Sequence, residues 1–169
     1  KALKLNNNYT EAYNNLGIAL RSLGQLEESE KNFKQAIKSN PNYFEAYNNL
    51  GLTKQELGNF EEAKICFEKV ILVKSDFDAA HYNLGITFEK LGNLNEAKAS
   101  YENAIKFNSS NTNYHNNIGM VLQELGKLEA SEQSYKKAIK LNPNNVDANF
   151  NLSMLFNLKG KLKEGFNLY

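Results

Sequence analysis

The chain has 169 residues, enough for a sizeable core, and its 20 lysines and arginines against 19 aspartates and glutamates leave a formal net charge of +1. That balance argues against a nucleic-acid binder, which needs a strongly basic face, and against a polybasic membrane anchor. A single cysteine, Cys66, excludes an intrachain disulfide and a cysteine-based metal site.

In chain order, residues 1–9 read as the tail of a preceding unit, because Ala2-Leu3-Lys4-Leu5-Asn6 aligns with Ala138-Ile139-Lys140-Leu141-Asn142. From residue 10 the pattern repeats every 34 residues. Leu16-Gly17, Leu50-Gly51, Leu84-Gly85 and Ile118-Gly119 keep that step, and Leu152-Ser153 continues it. A second glycine follows each pair: Gly24, Gly58, Gly92, Gly126 and Gly160. Full repeats run 10–43, 44–77, 78–111 and 112–145, with a partial fifth at 146–169. The whole chain is then one solenoid of about five repeats.

Within each unit the apolar spacing is helical rather than strand-like. In the first, Tyr13, Leu16, Gly17, Leu20 and Leu23 form the stripe of a first helix, and Leu26, Phe33, Ala36 and Ile37 that of a second. The second glycine closes the first helix in the left-handed conformation, so the chain reverses in few residues. The first glycine, like Ala63 and Ala97 opposite, lets the two helices approach, with Phe33, Phe67, Tyr101 and Tyr135 filling the space beside them. Pro41 and Pro143 stop second helices, and Ser75 and Ser109 at the same place predict less constrained turns. Cys66 falls on a second helix, as a small semi-buried side chain.

These residues resemble the tetratricopeptide repeat pattern of an aromatic, Leu-Gly, a bulky residue, a small residue, an aromatic, alanine and proline: Tyr13, Leu16, Gly17, Leu20, Ser29, Phe33, Ala36 and Pro41 in the first unit. The resemblance implies an all-α fold, a right-handed superhelical solenoid of antiparallel helix hairpins with its first helices lining a concave wall. It also implies a non-catalytic module that binds a protein or extended peptide along that wall, with no cofactor. His81, His115 and Asn149 depart from the leading aromatic, Lys54 from the bulky site, and Ser153 and Gly165 from the pattern of the last unit. These departures predict weaker local packing.

On a helical wheel the wall carries unit positions two, five, six, nine, twelve and thirteen. Position six is asparagine throughout: Asn15, Asn49, Asn83, Asn117 and Asn151. Asparagine is a mediocre helix former, and its carboxamide complements a peptide unit. With helices about 8–10 Å apart and an extended strand advancing about 3.3 Å per residue, one amide per repeat could grip every third residue of a ligand backbone. The alternative is that the asparagines bond to each other or to water. Position five (Asn14, Asn48, Tyr82, Asn116 and Phe150) varies and could add peptide contacts. Position nine is apolar (Ile18, Leu52, Ile86, Met120 and Met154) and reads either as packing between first helices or as an apolar floor for ligand side chains.

No phosphate loop or metal-ligand cluster is present, and His81 and His115 read as hairpin packing. The asparagine series also resembles the repeat arm of O-linked N-acetylglucosamine transferases and SPINDLY-like proteins, which implies a substrate-recognition arm as an alternative role. The ending Gly165-Phe166-Asn167-Leu168-Tyr169 resembles a junction with such a catalytic region. A third reading is a self-assembling scaffold. The final unit stops inside its second helix, and exposure of Phe150, Phe156, Phe166 and Tyr169 would favour homo-oligomers through that end. Neither nucleic acid nor membrane is an expected partner. With no signal peptide and no 18-residue apolar run, a cytoplasmic location is expected, although the chain opens on Lys1 in mid-pattern and its natural start is expected to lie upstream.

Overall fold

A computed structural model describes residues 2–160, with side chains from Tyr9 onward. The side chains of the proposed N-terminal tail, and Gly165, Phe166 and Tyr169, therefore lie outside the described residues. Among those described there are nine helices and no strand: α1 (Ala2–Ser22), α2 (Leu26–Ser39), α3 (Phe44–Glu56), α4 (Phe60–Val73), α5 (Asp78–Lys90), α6 (Leu94–Phe107), α7 (Thr112–Glu124), α8 (Leu128–Leu141) and α9 (Val146–Leu158). The odd-numbered helices are the first helices of the repeats. The fold is an all-α helical repeat made of two compact units, Lys1–Leu91 and Gly92–Tyr169.

The hairpin turn follows from glycine. Gly58 has φ +76°, its N–H donates to Gln55 O at 3.0 Å, and Asn59 N–H donates to Lys54 O at 2.8 Å. This double bond pattern satisfies carbonyls that the end of α3 would otherwise leave bare. Gly24 and Gly126 close α1 and α7 in the same way.

In the first unit α1 packs on α2 and α3, α3 packs on α2, α4 and α5, and α5 packs on α4. Phe33 shows how the sequence dictates this. A Cβ at Gly17 would lie 2.6 Å from its ring, while Leu50 of the next repeat and Cys66 pack against it. Phe67 repeats the arrangement, against Gly51 of its own repeat and Leu84 of the next. The Leu-Gly pair thus splits its work: glycine admits the ring of its own hairpin, and leucine covers the ring of the preceding one. A fully buried phenylalanine contributes about 1.5–3 kcal/mol, so these rings dominate a thin core.

That division corrects the expected stripe of α1. Leu50 and Leu84 are 6% and 7% exposed, but Leu16 is 50% exposed, because no second helix precedes it among the described residues. Leu23 is 74% exposed, at the hairpin turn rather than in the core.

In the second unit α7 packs on α6, α8 and α9, and α9 packs on α8. Tyr135, Leu152, Leu155 and Phe156 form its core, backed by Leu128 and Ile139. Phe156, expected at an open end, is instead buried, because it covers Tyr135 from the next first helix. Ser153, at the glycine position, is also buried.

The other departures from the repeat pattern are satisfied rather than loose. His81 Nε2 lies 2.9 Å from Ser75 O, and His115 Nε2 lies 2.9 Å from Ser109 O. A carbonyl only accepts, so each Nε2 carries the donated proton. Asn149 Nδ2 donates to Pro143 O at 3.0 Å. The turns lacking proline are thereby tied down by a hydrogen bond. Ser29 and Ser131 donate to the carbonyls of Gly17 and Gly119 across their hairpins, both at 2.7 Å.

Lys54, at a bulky site, is 5% exposed and bonds Glu30 at 2.8 Å and Glu62 at 2.7 Å. Burial pushes its ammonium towards neutrality, but the two carboxylates outweigh it and hold its pKa above the ordinary lysine value. Burial likewise raises Glu30, yet Lys34 and Lys54 leave it below the ordinary carboxylate range. Its counterpart in the second unit is Glu132, paired with Lys136 at 2.7 Å and Lys159 at 2.8 Å.

Candidate functional site

In each unit the face formed by the first helices is where the asparagines converge. Within the first unit, Asn49 Nδ2 donates to Asn14 Oδ1 at 3.0 Å and Asn83 Nδ2 donates to Asn48 Oδ1 at 3.4 Å. Within the second, Asn151 Nδ2 donates to Asn116 Oδ1 at 3.0 Å. Each bond runs from position six of one repeat to position five of the repeat before it, a step of 35 residues rather than 34. The sequence carried that signal in the Asn-Asn pairs 14–15, 48–49 and 116–117.

This pairing separates the candidate residues into two classes. Asn14 and Asn116 are 5% and 7% exposed and act as internal acceptors between helices. Asn49, Asn83 and Asn151 are half-buried, each with one N–H committed to the neighbouring repeat. Asn15 is exposed. Asn117 is half-buried beside Asn116, whose Nδ2 lies 3.4 Å from its Oδ1. In the first unit Asn48 and Tyr82 are half-buried, and in the second Phe150 is 48% exposed.

Sequence reasoning missed a second tie. Gln55 Nε2 reaches from α3 to Asn83 O at 3.0 Å and to Thr87 Oγ1 at 2.8 Å on α5. Thr53 and Thr87 donate to the carbonyls of Asn49 and Asn83. The wall of the first unit is thus a continuous hydrogen-bonded surface. Arg21 faces Glu56 across it, with 3.6 Å between Nε and Oε1.

Position nine divides in the same manner. Leu52 packs against the Ala63, Phe67 and Leu84 cluster, whereas Ile18, Met120 and Met154 stay 36%, 38% and 49% exposed. In the second unit Met120, Met154, Gln123, Glu124, Asn151 and the edge of Tyr135 enclose a shallow cleft of about 140 Å³. Burial pushes the Tyr135 phenol up to about 12, so it stays protonated, and it donates to Gln123 Oε1 at 3.4 Å. Among the described residues no group of three His, Cys, Asp or Glu side chains could hold a metal ion. No helix there is long and apolar enough to cross a membrane.

Tetratricopeptide repeat models match residues 44–77, 79–111 and 112–145, further models of the same repeat match 1–31 and 134–165, and a TPR repeat model matches 17–58. The chain belongs to the tetratricopeptide repeat family. Solved tetratricopeptide structures agree in fold. MamA from Desulfovibrio magneticus RS-1 is 19% identical with a TM-score of 0.87, covering 95% of this chain and 90% of its own. YrrB, described as a TPR protein with an unusual peptide-binding site, is 22% identical with a TM-score of 0.77, covering 92% and 80%. PilF from Pseudomonas aeruginosa is 17% identical with a TM-score of 0.85, covering 96% and 76%. A comparison with curated proteins finds no match.

Proposed function

We propose that this tetratricopeptide chain is a non-catalytic peptide-binding module whose first-helix wall grips an extended segment through its backbone. The observation that carries the reading is the amide pairing. By tying position six of one repeat to position five of the repeat before, it fixes the Asn49, Asn83 and Asn151 carboxamides in rotamer. Each carboxamide's oxygen is left to accept a ligand N–H, with its second N–H as a donor. Pre-set amides lose little side-chain freedom on binding, which favours affinity. The solved structure of YrrB gives the same repeat a peptide-binding precedent.

The transferase-arm and self-assembly alternatives draw on Gly165, Phe166 and Tyr169, which lie outside the described residues, and on an asparagine series that now also has a packing role. The burial of Phe156 removes one of the four aromatics that favoured end-to-end association.

The test is an N-methyl scan of a peptide selected on the purified chain, read by fluorescence anisotropy. Methylating a backbone nitrogen removes its N–H, so affinity should fall at about every third residue, by about 0.5–1.5 kcal/mol each. Asn15→Ala should weaken the same peptide without touching an amide pair. A scan that leaves affinity flat sinks the backbone grip.

A further inference from the structure

The charge of the wall differs from that of the chain. In the second unit the inner positions of α7 and α9 carry Glu124 and Asp147 and no lysine or arginine. Nearby cations are on other faces or spoken for: Lys136 bonds Glu132, and Lys159 bonds Glu129 and Glu132. Glu124 is exposed at the rim of the α7–α9 cleft and makes no ion pair among the described residues. In the first unit the wall shows the same excess, with Glu11, Glu45, Glu56 and Glu89 against Arg21 and Lys90.

The cleft combines three features. Met120 and Met154 give a floor of unbranched, polarizable side chains that can mould to different apolar shapes. Gln123 is oriented through Oε1 by the Tyr135 hydroxyl, which leaves its Nε2 as a donor at the cleft. Asn151, with Nδ2 held by Asn116, presents an acceptor. A donor and an acceptor flanking an apolar floor suit one residue of a peptide, backbone and side chain together.

We propose that the α7–α9 cleft takes a bulky apolar side chain of the bound peptide, and that Glu124 selects a lysine or arginine beside that side chain. This rests on the peptide-binding reading above and names its partner: a basic, apolar-anchored extended segment. The commitment to a basic partner follows from charge complementarity, since Glu124 and Asp147 are the charged residues at the inner positions of α7 and α9 and an acidic segment would meet like charge there.

The experiment pans the purified chain against a display library of random peptides of about twelve residues, long enough when extended to cross several helices. Recovered peptides are then titrated by fluorescence anisotropy against wild type, Met154→Ala and Glu124→Lys. Both positions are exposed, and an unchanged circular dichroism spectrum confirms that the variants fold. The expected result is enrichment of leucine, isoleucine, methionine or phenylalanine next to lysine or arginine. Met154→Ala should weaken binding about fivefold or more through lost apolar contact. Glu124→Lys should weaken it about tenfold at low salt and less at high salt. Enriched peptides with no charge preference, or an affinity indifferent to both variants, overturn this assignment and leave the backbone grip standing. Failure to enrich any peptide overturns both.

Discussion

Asn49→Ala tests the amide pairing at its most consequential point. The substitution deletes the donor to Asn14 Oδ1, a bond of 3.0 Å to a side chain only 5% exposed. A buried acceptor left without a partner costs about 1–3 kcal/mol, and the better helix propensity of alanine returns about 0.5 kcal/mol. The net loss should therefore be about 0.5–2.5 kcal/mol. Asn15→Ala is the internal control. It occupies the same unit position but is exposed, so the propensity gain should make it neutral or about 0.5 kcal/mol more stable. Adding Asn14→Ala to Asn49→Ala removes the stranded oxygen. The double variant should then lose less than the sum of the singles, with a coupling of about 1 kcal/mol. Urea unfolding followed by circular dichroism at fixed temperature measures the wild type, the Asn14→Ala, Asn15→Ala and Asn49→Ala singles, and the double variant. Equal stabilities for Asn15→Ala and Asn49→Ala, or strict additivity in the cycle, would refute the claim that the pairing holds adjacent first helices together.

Gly119→Ala should destabilise the second unit by about 1–3 kcal/mol through overpacking. The new Cβ would stand 2.6 Å from the buried Tyr135 ring, and a lowered thermal midpoint is the readout. Lys54→Ala should cost about 1–3 kcal/mol, since Glu30 and Glu62 lose a hydrogen-bonded partner, although Glu30 keeps Lys34 and Glu62 is exposed to water. Joining Lys54→Met to Glu30→Gln should recover most of that in the same urea assay. The ammonium groups of Lys136 and then Lys159 hold the Glu132 carboxyl at about 2. Its contribution is therefore complete above the ordinary carboxylate range and is lost as pH falls from about 4.5 to about 2. Glu132→Gln should flatten the stability profile in that window. Cys66 is buried and its thiol is pushed up to about 11, first by burial. It should resist a thiol-alkylating reagent at pH 8 and react only when urea unfolds the chain, which mass spectrometry detects.

Much of the fold was legible because a solenoid repeats its instructions. The apolar-glycine pairs and the buried aromatics recur four times and the left-handed glycines five times at one step, so local sequence and tertiary contact repeat the same message. What the periodic pattern could not show were bonds running between repeats at a different step. Asn14 with Asn49 is offset by 35 residues and Lys54 with Glu30 by 24. The unusual residues Lys54, His81, His115 and Asn149 look like packing defects in a column of aligned repeats, since their partners sit in other columns. Leu16 shows the converse limit, for a residue that matches the pattern lies half-exposed where its neighbour in the pattern is missing from the described residues. The wall asparagines were found by position, but their division into buried acceptors and half-buried presenters depends on which helix neighbours which, and that is a property of the stack.

The turn bonds of His81, His115 and Asn149 bear on how such a chain can be recombined. Ser75 and His81, Ser109 and His115, and Pro143 and Asn149 each lie six residues apart, and each couple straddles the boundary between one 34-residue frame and the next. A crossover at a frame boundary therefore hands one half of a joint to a stranger. Moving the cut to the hairpin glycines, near 58 or 126, keeps every such couple whole. For engineering, the piece that keeps these turn bonds whole is a second helix with the first helix that follows it, while the bonds of Ser29 and Ser131 to Gly17 and Gly119 are kept only by the hairpin.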